Sequence, residues 1–538
     1  MGKVVGIDLG TTFSAIAYVN DHAAQEEIIP NAEGDRTTPS VIMFEDENVV
    51  VGKIAKQNAS AVPEQIVEFV KREMGRPKGQ SDGEYSREFN GKEYSAEELS
   101  ALILQKLKQD AEAELNEEVT DAVITVPAYF KDAEREATRN AGKIAGLNVL
   151  QVVNEPTAAA LAYGIDQHGS DQTVFVFDLG GGTFDVTIMR VSGSELEMIA
   201  TNGDPKLGGK NWDDKIISFV AETFQNEHGD NPLQDLHAYQ EIQLSAISAK
   251  ESLSQRQKAR IRCSYDGKSS NVEVTREKFE ELTADLVGRC SSLCDIVLDE
   301  AGMTWENIDT VLMVGGSTRM PMVQEMVTKI SGKDINPREV NPDDAVALGA
   351  AIQGTLRQLE EVVIKGKEET TTEEEIATAV KERFIAPGGG LAITVTDGAT
   401  HNLGLVVYES ADSDGSIHVM IAKMTPVPCE VEDRFGTLFE NQSSLLVEVI
   451  QGLEQDQKED ELIKFTNHKL GECRLELPSG LPQGAPVDVT YKYNLDQRLE
   501  VTAEGPDGRT ANVTIDRPTL DETGVAEATE HLQSLEVE

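Results

Sequence analysis

The chain has 538 residues, 39% of them hydrophobic, and is therefore long enough to form two or more domains with separate cores. Its 95 acidic and 48 basic residues leave a formal charge of -47, which disfavours nucleic acid and anionic membranes as partners because both are negatively charged. No apolar run approaches the roughly 20 residues of a membrane helix and no secretory leader is evident, so we expect a cytoplasmic protein.

Strand-like and amphipathic helical segments alternate from 3 to 353, which is the order typical of an α/β protein with helices covering its sheets. The segment VGIDLGTTF at 5–13 recurs in altered form as VFDLGGGTF at 176–184. This recurrence indicates an internal duplication and therefore two lobes.

The sequence changes character after the second lobe. An acidic helical stretch at 355–383 is followed by a Pro-Gly-Gly-Gly breaker at 387–390. Short alternating strands then appear at 416–422, 445–450 and 487–493, separated by turn residues as in a β-sandwich. Beyond 515 only a helix-compatible piece at 525–532 remains.

The predicted boundaries follow from these changes. We predict an α/β domain at 1–385, a linker at 386–400, a β-sandwich at 401–515 and a short tail or partial helix at 516–538.

Two acidic hairpins carry the first chemical signal. A strand that ends in Asp8 and a glycine-containing turn can present backbone amides and hydroxyls to a phosphate chain. Alone, this segment fits a plain hairpin with an acidic turn residue better than a phosphate loop. A second copy at Asp178 favours a pair of opposed loops that hold both sides of a triphosphate. Such charge requires a hard cation, and Asp8 and Asp178 are the expected Mg²⁺ residues.

Phosphoryl transfer to water also needs a cation near the γ-phosphate and a group that orients the nucleophile. Lys71 and Glu155 are candidates, although their local sequence also fits a surface lysine and a helix-start residue. The segment 311–321 reads as a strand, a glycine turn and the start of a helix. It suits either the close approach of a nucleoside or a turn with a purely structural role. The Walker spacing is absent from the sequence, which disfavours that class of nucleotide fold.

Together these segments resemble the seventy-kilodalton heat-shock (DnaK-type) chaperones, a family of the actin and sugar-kinase ATPase superfamily. The resemblance extends from residue 4 to 353. Its ordered motifs are GIDLGTT (6–12), VPAYF (126–130), NEPTAAA (154–160), DLGGGTFD (178–185), LGG (207–209), GGSTR (315–319) and NPD (341–343).

The resemblance implies a two-lobed, actin-like ATPase domain with a duplicated core, an all-β sandwich domain after it, and ATP or ADP with Mg²⁺ as ligands. It implies catalytic roles for Lys71, which places the attacking water, and for Glu155, Asp185 and Thr183. Pro127 and Arg135 would relay the nucleotide state, although Pro127 also reads as a strand-ending proline. The implied nucleotide-binding residues are Gly10, Thr11, Thr12, Phe13, Gly180, Gly181, Gly182, Gly209, Lys250, Ser254, Gly315, Gly316, Ser317, Arg319 and Asp343.

Two departures from the family pattern are visible. Ile247 stands where the pattern leads us to expect an acidic residue, which predicts altered base contacts. The linker is replaced by a longer acidic helix and the segment 390–397, which puts coupling between the domains in question.

The second domain resembles the family's sandwich more faintly. By the same resemblance, an unfolded or extended hydrophobic peptide would bind there, beside Phe435, Leu438, Leu445 and Val447, unless these are plain core residues. A J-domain co-chaperone and a nucleotide-exchange factor are the implied protein partners. The helical lid that most members carry has no counterpart in the sequence, so we expect an atypical lidless member with fast peptide release.

Two other functions remain open. The chain could be a non-hydrolysing, nucleotide-dependent scaffold or exchange partner of another chaperone, or a small-molecule kinase of the same fold. The presence of Lys71, Glu155 and Asp185 favours hydrolysis over the first, and the lack of an evident sugar loop disfavours the second.

Overall fold

The computed structural model describes residues 3–45, 48–81, 83–164, 171–192, 195–333, 335, 341–365, 384, 393–410, 415–452, 469–495, 497–513 and 520–538. The predicted breaker at 387–390 and most of the acidic stretch after 365 lie outside these ranges. Within them, every helix is too short or too polar to cross a membrane.

Lobe I is built on a sheet with the strand order β11-β10-β1-β2-β3, in which β1, β10 and β11 are parallel and β1, β2 and β3 form an antiparallel meander. A smaller sheet on this lobe contains the order β6-β5-β7. The elements are β1 Lys3–Asp8, β2 Phe13–Val19, β3 Glu26–Ile29, β4 Thr38–Pro39, β5 Val41–Phe44, β6 Asn48–Val51, α1 Lys53–Asn58, β7 Ile66–Glu68, β8 Arg87–Phe89, β9 Lys92–Tyr94, α2 Ala96–Leu115, β10 Val119–Val126, α3 Asp132–Ile144, β11 Asn148–Asn154 and α4 Glu155–Gly164.

Lobe II repeats the meander. Its strand order is β17-β12-β13-β14, with β12, β13 and β14 antiparallel and β17 parallel to β12. The elements are β12 Gln172–Leu179, β13 Phe184–Ser192, β14 Glu195–Asp204, α5 Gly209–His228, α6 Leu236–Leu253, β15 Lys258–Tyr265, β16 Lys268–Thr275, α7 Arg276–Ala301, β17 Thr310–Val314, α8 Pro321–Ser331 and α9 Ala345–Lys365.

Helices α4 and α9 pack between the two sheets through small residues. A Cβ added at Gly349 would lie 1.7 Å from the carbonyl oxygen of Ala158, so only glycine permits this approach. The buried side chains around this crossing come from both lobes, among them Ala159 and Val176. The two sheets therefore face each other across a closely packed helix pair.

The predicted linker is partly a strand. β18 Thr394–Thr396 pairs in parallel with β14 and so extends the sheet of lobe II. The prediction of a simple connection at 386–400 misses this pairing, because three residues are too short to show a period of two in the sequence.

Two four-stranded antiparallel sheets form the C-terminal β module, with the orders β20-β19-β22-β23 and β21-β24-β25-β26. Residues from both sheets share one apolar core, including Leu405, Val449, Val489 and Val501. The strands predicted near 416–422, 445–450 and 487–493 are confirmed. The elements are β19 Leu403–Val407, β20 Ser416–Ile421, β21 Cys429–Gly436, β22 Ser444–Gln451, β23 Lys469–Glu476, β24 Pro486–Tyr493, β25 Leu499–Glu504 and β26 Thr510–Val513.

The last described segment returns to lobe I. Helix α10 Glu522–Leu532 packs on α3 and α2, and strand β27 Glu536–Val537 pairs in parallel with β6. The helix expected near 525–532 is therefore present, while the strand after it was not predicted.

Candidate nucleotide site

The two acidic hairpins meet at one cavity of about 640 Å³ between the lobes. Strand β1 is an almost wholly buried apolar run that ends at Asp8, and β12 delivers Asp178 in the same way. A Cβ added at Gly181 would lie 2.3 Å from the Thr12 hydroxyl oxygen, and one at Gly182 would lie 2.5 Å from the side chain of Thr11. The glycines therefore let the two turns touch.

Hydrogen bonds hold each turn in place. In the first, the amide of Gly10 donates to Ser14 Oγ at 3.1 Å and its carbonyl accepts from Ser40 Oγ at 2.8 Å. In the second, the carbonyl of Gly180 accepts from the amide of Gly209 at 2.9 Å and from Ser317 Oγ at 2.9 Å. Both turns are thus held by hydrogen bonds within the protein.

Lys71 lies at the inner end of the cavity. It lies two residues after Phe69, whose backbone is in the left-handed region with a φ of 61°. Lys71 itself is part of a short 3-10 turn at Val70–Glu73. Its ammonium is buried in an ion pair with Glu155, the first residue of α4. Burial alone would lower the pKa of Lys71, but Glu155, Asp8 and Asp178 raise it above its ordinary value. The lysine is therefore charged and points among carboxylates.

Those carboxylates are buried and crowded. Burial, followed by the charge of Glu155, raises the pKa of Asp8 to about 7 and that of Asp185 to about 7, and the same causes raise the pKa of Asp178. Asp185 Oδ1 accepts from the amide of Tyr129 at 3.2 Å, while its buried Oδ2 has no hydrogen-bond partner among the residues that the structure describes. Carboxyl groups thus outnumber cationic groups at this end of the cavity.

This excess fits a divalent cation. Mg²⁺ is usually held by one or two carboxylates, water and substrate phosphates. Asp8 and Asp178 line the cavity on opposite hairpins and supply such a pair. In the described part of the chain, no cluster of three or more His, Cys, Asp or Glu side chains is arranged as a dedicated metal cage.

The outer end of the cavity is lined by the strand-turn-helix segment predicted for a nucleoside. Gly315 has a φ of 82°, and a Cβ there would lie 2.4 Å from the carbonyl oxygen of Leu179. Arg319 Nη2 donates to Asp343 at 2.7 Å, and Lys250 Nζ donates to Asp213 at 2.9 Å. Ile247 also lines this end, where the sequence predicted altered base contacts.

The structure gathers most of the predicted site residues. The cavity is lined by Asp8, Gly10, Thr11, Thr12, Phe13, Lys71, Glu155, Asp178, Gly180, Gly181, Thr183, Lys250, Ser254, Gly315, Gly316, Ser317, Arg319 and Asp343. Gly182, Gly209 and Asp185 lie immediately behind that lining, in contact with Thr11, Lys250 and Tyr129 respectively.

Sequence reasoning missed several lining residues, notably Phe69, Asp213 and Glu251. Asp213 lies one helical turn after Gly209 on α5, so the i, i+4 spacing was a usable signal. Glu251 is the sequence neighbour of Lys250, which the family resemblance had already implied to be a nucleotide-binding residue. Phe69 carries no such signal, because its left-handed backbone depends on tertiary contacts.

Pro127 and Arg135 both lie close to Asn154. Pro127 follows β10, whose last residue Val126 pairs with Asn154, and its carbonyl accepts from the amide of Phe130 at 3.1 Å. Buried Arg135 donates to the carbonyls of Phe130 and Ala128 and to the side chain of Asn154, the residue before Glu155. These contacts join Arg135 to the segment that follows Pro127 and to the start of α4.

The linker and the β module contact residues of both lobes. The ring of Tyr129, whose amide holds Asp185, lies 4.7 Å from the ring of His401. Thr157 Oγ1 on α4 donates to Asp397 of the linker at 2.7 Å. Lys423 on the module also donates to Glu300 on lobe II at 2.7 Å.

The four predicted peptide-pocket residues lie on the β module, and their exposure differs. Val447 is 1% exposed and belongs to the core, whereas Phe435 and Leu445 are partly buried against it. Leu438 is also partly buried, and its amide donates to Gln442 at 2.7 Å. Next to them, Phe439 and Leu446 are 47% and 45% exposed, which the sequence reasoning did not anticipate.

Comparison with models of protein families matches residues 4–365 to the Hsp70 protein family. The matched range begins in β1 and ends with α9, so it includes every residue that lines the cavity.

Proposed function

Because the chain belongs to the Hsp70 family, we propose that it is an ATP-hydrolysing chaperone that binds extended hydrophobic segments of unfolded proteins. ATP hydrolysis would switch the affinity for these segments. The observation that carries the proposal is the convergence of both acidic hairpins and Lys71 on one cavity.

In this proposal the nucleotide lies across the cavity with its phosphates between the two hairpin turns. Asp8 and Asp178 hold Mg²⁺, which neutralises phosphate charge when bound. Lys71 orients the attacking water, and Glu155 fixes the lysine through their buried ion pair. Asp185 and Thr183 assist from the second hairpin. The nucleoside occupies the part of the cavity lined by Lys250 and Arg319.

The β module would be the family's peptide-binding sandwich. The exposed side chains of Phe439 and Leu446 support this, because large exposed apolar groups on the module offer contacts to an apolar peptide. We propose a J-domain co-chaperone and a nucleotide-exchange factor as further partners. The contacts of Arg135, Tyr129 and Asp397 would carry the nucleotide state to the module.

The test combines turnover with peptide binding. Steady-state ATPase activity is measured with and without a denatured protein, and the affinity of a fluorescent hydrophobic peptide is measured in ATP and in ADP. We expect Mg²⁺-dependent turnover and weaker peptide binding in ATP. ATP binding without turnover would instead support the nucleotide-dependent scaffold, and acceleration by a sugar would support a small-molecule kinase.

A further inference from the structure

The segment Leu520–Glu538, here called the tail, is seated on lobe I although it follows the β module in sequence. Asp521 caps α10 by accepting from the amide of Gly524 at 2.7 Å. Ala528 and Leu532 are buried in the core of lobe I, and the ring of His531 lies 5.5 Å from that of Tyr94. The helix therefore contributes to the packing of this lobe.

After the helix, the tail adds a strand to the small sheet of lobe I. The amide of Glu538 donates to the carbonyl of Val49 at 2.9 Å, and the amide of Val51 donates to the carbonyl of Glu538 at 2.9 Å. Val537 is buried in the same core. Without β27, strand β6 would be an open edge with unpaired backbone groups.

This small sheet connects the tail to the catalytic lysine. Its strand order is β27-β6-β5-β7. Strand β7 ends at Glu68 and leads through Phe69 into the turn that carries Lys71. One continuous apolar cluster contains Val537 of β27, Val67 of β7 and Val70 beside Lys71.

We propose that the tail is a positioning element for Lys71, acting through β6 and β5. This inference rests on the proposed function, in which Lys71 orients the attacking water. Withdrawal of β27 removes its pairing with β6, including the two backbone hydrogen bonds of Glu538, and the burial of Val537, so the far edge that holds Lys71 becomes less constrained. A misplacement of roughly 1 Å can cost on the order of 100-fold in rate, and such a loss falls on the transition state more than on ATP binding.

The test unseats the tail in the full chain with the pair Leu532→Asp and Val537→Asp. Both introduce a carboxylate at a buried apolar position. We expect single-turnover hydrolysis to slow by roughly tenfold or more while the Kd for ATP changes less than twofold. Hydrogen exchange should quicken at residues 49–51 and 66–73. An excess of a synthetic peptide of residues 520–538 should restore the rate of hydrolysis, because it can bind the surface of lobe I that the altered tail no longer covers.

The matched control is Ala526→Asp with Gln533→Asp, which adds the same charge at exposed positions of the tail and should leave the rate unchanged. A folded Leu532→Asp/Val537→Asp variant with an unchanged rate would overturn the proposal. If that variant does not fold, the milder pair Leu532→Ala with Val537→Ala is tested by the same measurements and the same criteria. Hydrolysis and ATP affinity that fall together and are not restored by the peptide would show a purely structural tail and also overturn it.

The same experiments separate this inference from the function on which it rests. An unaltered chain that never hydrolyses ATP contradicts the proposed function, whatever the tail does. A rate of hydrolysis that is the same with the tail packed on lobe I and with the tail displaced contradicts only the tail inference.

Discussion

At the scale of single residues, the balance of charge around Lys71 dominates the site. Its ammonium is buried and faces Glu155, Asp8 and Asp178, with Asp185 close behind. In a low-dielectric setting a single cation among carboxylates is held firmly, because any displacement would leave buried charge uncompensated. A lysine held in this way is already oriented when nucleotide binds.

Replacement of this lysine gives the most direct prediction. Lys71→Ala should lower kcat by roughly 100-fold or more with little change in ATP affinity, because a positioned donor acts mainly on the transition state. Single-turnover hydrolysis and ATP titration measure the two quantities. Lys53→Ala, which removes an exposed lysine of α1, is the control. An unchanged kcat in Lys71→Ala would remove this residue from the mechanism.

Which of these residues the sequence predicts depends on how local their signal is. Asp8 and Asp178 end apolar strands before glycine turns, so the neighbouring residues alone indicate their role. Lys71 and Glu155 are 84 positions apart and look ordinary in their own segments. The sequence offered them only as weak candidates, the family resemblance assigned their roles, and the fold brings them together.

At the scale of elements, the contact between the two hairpin turns sets the width of the phosphate end. We predict that Gly182→Ala weakens ATP binding by roughly tenfold, because the added methyl group would press on Thr11 and overpacking typically costs about 1–3 kcal/mol. Isothermal titration with ATP measures the change.

Gly288→Ala is the matched control for the hairpin. This glycine lies in α7, where a Cβ would meet no neighbouring atom within 4 Å, so the same substitution should leave ATP binding intact and slightly favour the helix. Equal ATP affinities for the two variants would show that the hairpins do not set the width of the site.

Regular elements were more predictable than very short ones. The predicted strand at 487–493 follows a period of two, as the alternating burial of β24 shows, and this pattern is readable in the sequence. By contrast, β18 and β27 contain three and two residues. They are strands because they pair with the edges of β14 and β6, and the sequence of so short a segment does not show that pairing.

At the scale of the whole molecule, a buried carboxylate lies where lobe I meets the β module. Asp132 of α3 accepts a hydrogen bond from the hydroxyl of Tyr493 at 3.5 Å. Burial raises the pKa of Asp132 from its usual 3.8 to about 7, because Arg135 and Tyr493 offset burial only in part and Glu134 and Glu136 add to it. The docked arrangement therefore favours protonated Asp132.

This shift predicts a pH dependence of docking. Separation of the module exposes Asp132 and returns its pKa towards 3.8, so docking takes up a proton between the two values. Docking should be strongest below about pH 4 and weaken as the pH rises through about 7, by at most about tenfold per pH unit. Energy transfer between labels on lobe I and the module measures the docked fraction.

Asp132→Asn provides the control for this dependence. The amide has a similar shape and cannot ionise, so the docked fraction should become less sensitive to pH while the fold is kept. A pH profile identical to that of the unaltered chain would assign the dependence to other groups of the interface, such as Asp397, whose pKa burial also raises.

Pairing between β6 and β27 also has a consequence for biosynthesis. Asn48 and Val49 meet Glu536 and Val537, partners from opposite ends of the described chain. A nascent polypeptide cannot close this ladder until the ribosome has released nearly all of the intervening residues, and such distant pairing forms slowly. Lobe I would therefore remain incompletely folded during translation. The unpaired edge of β6 could then pair with strands of other chains.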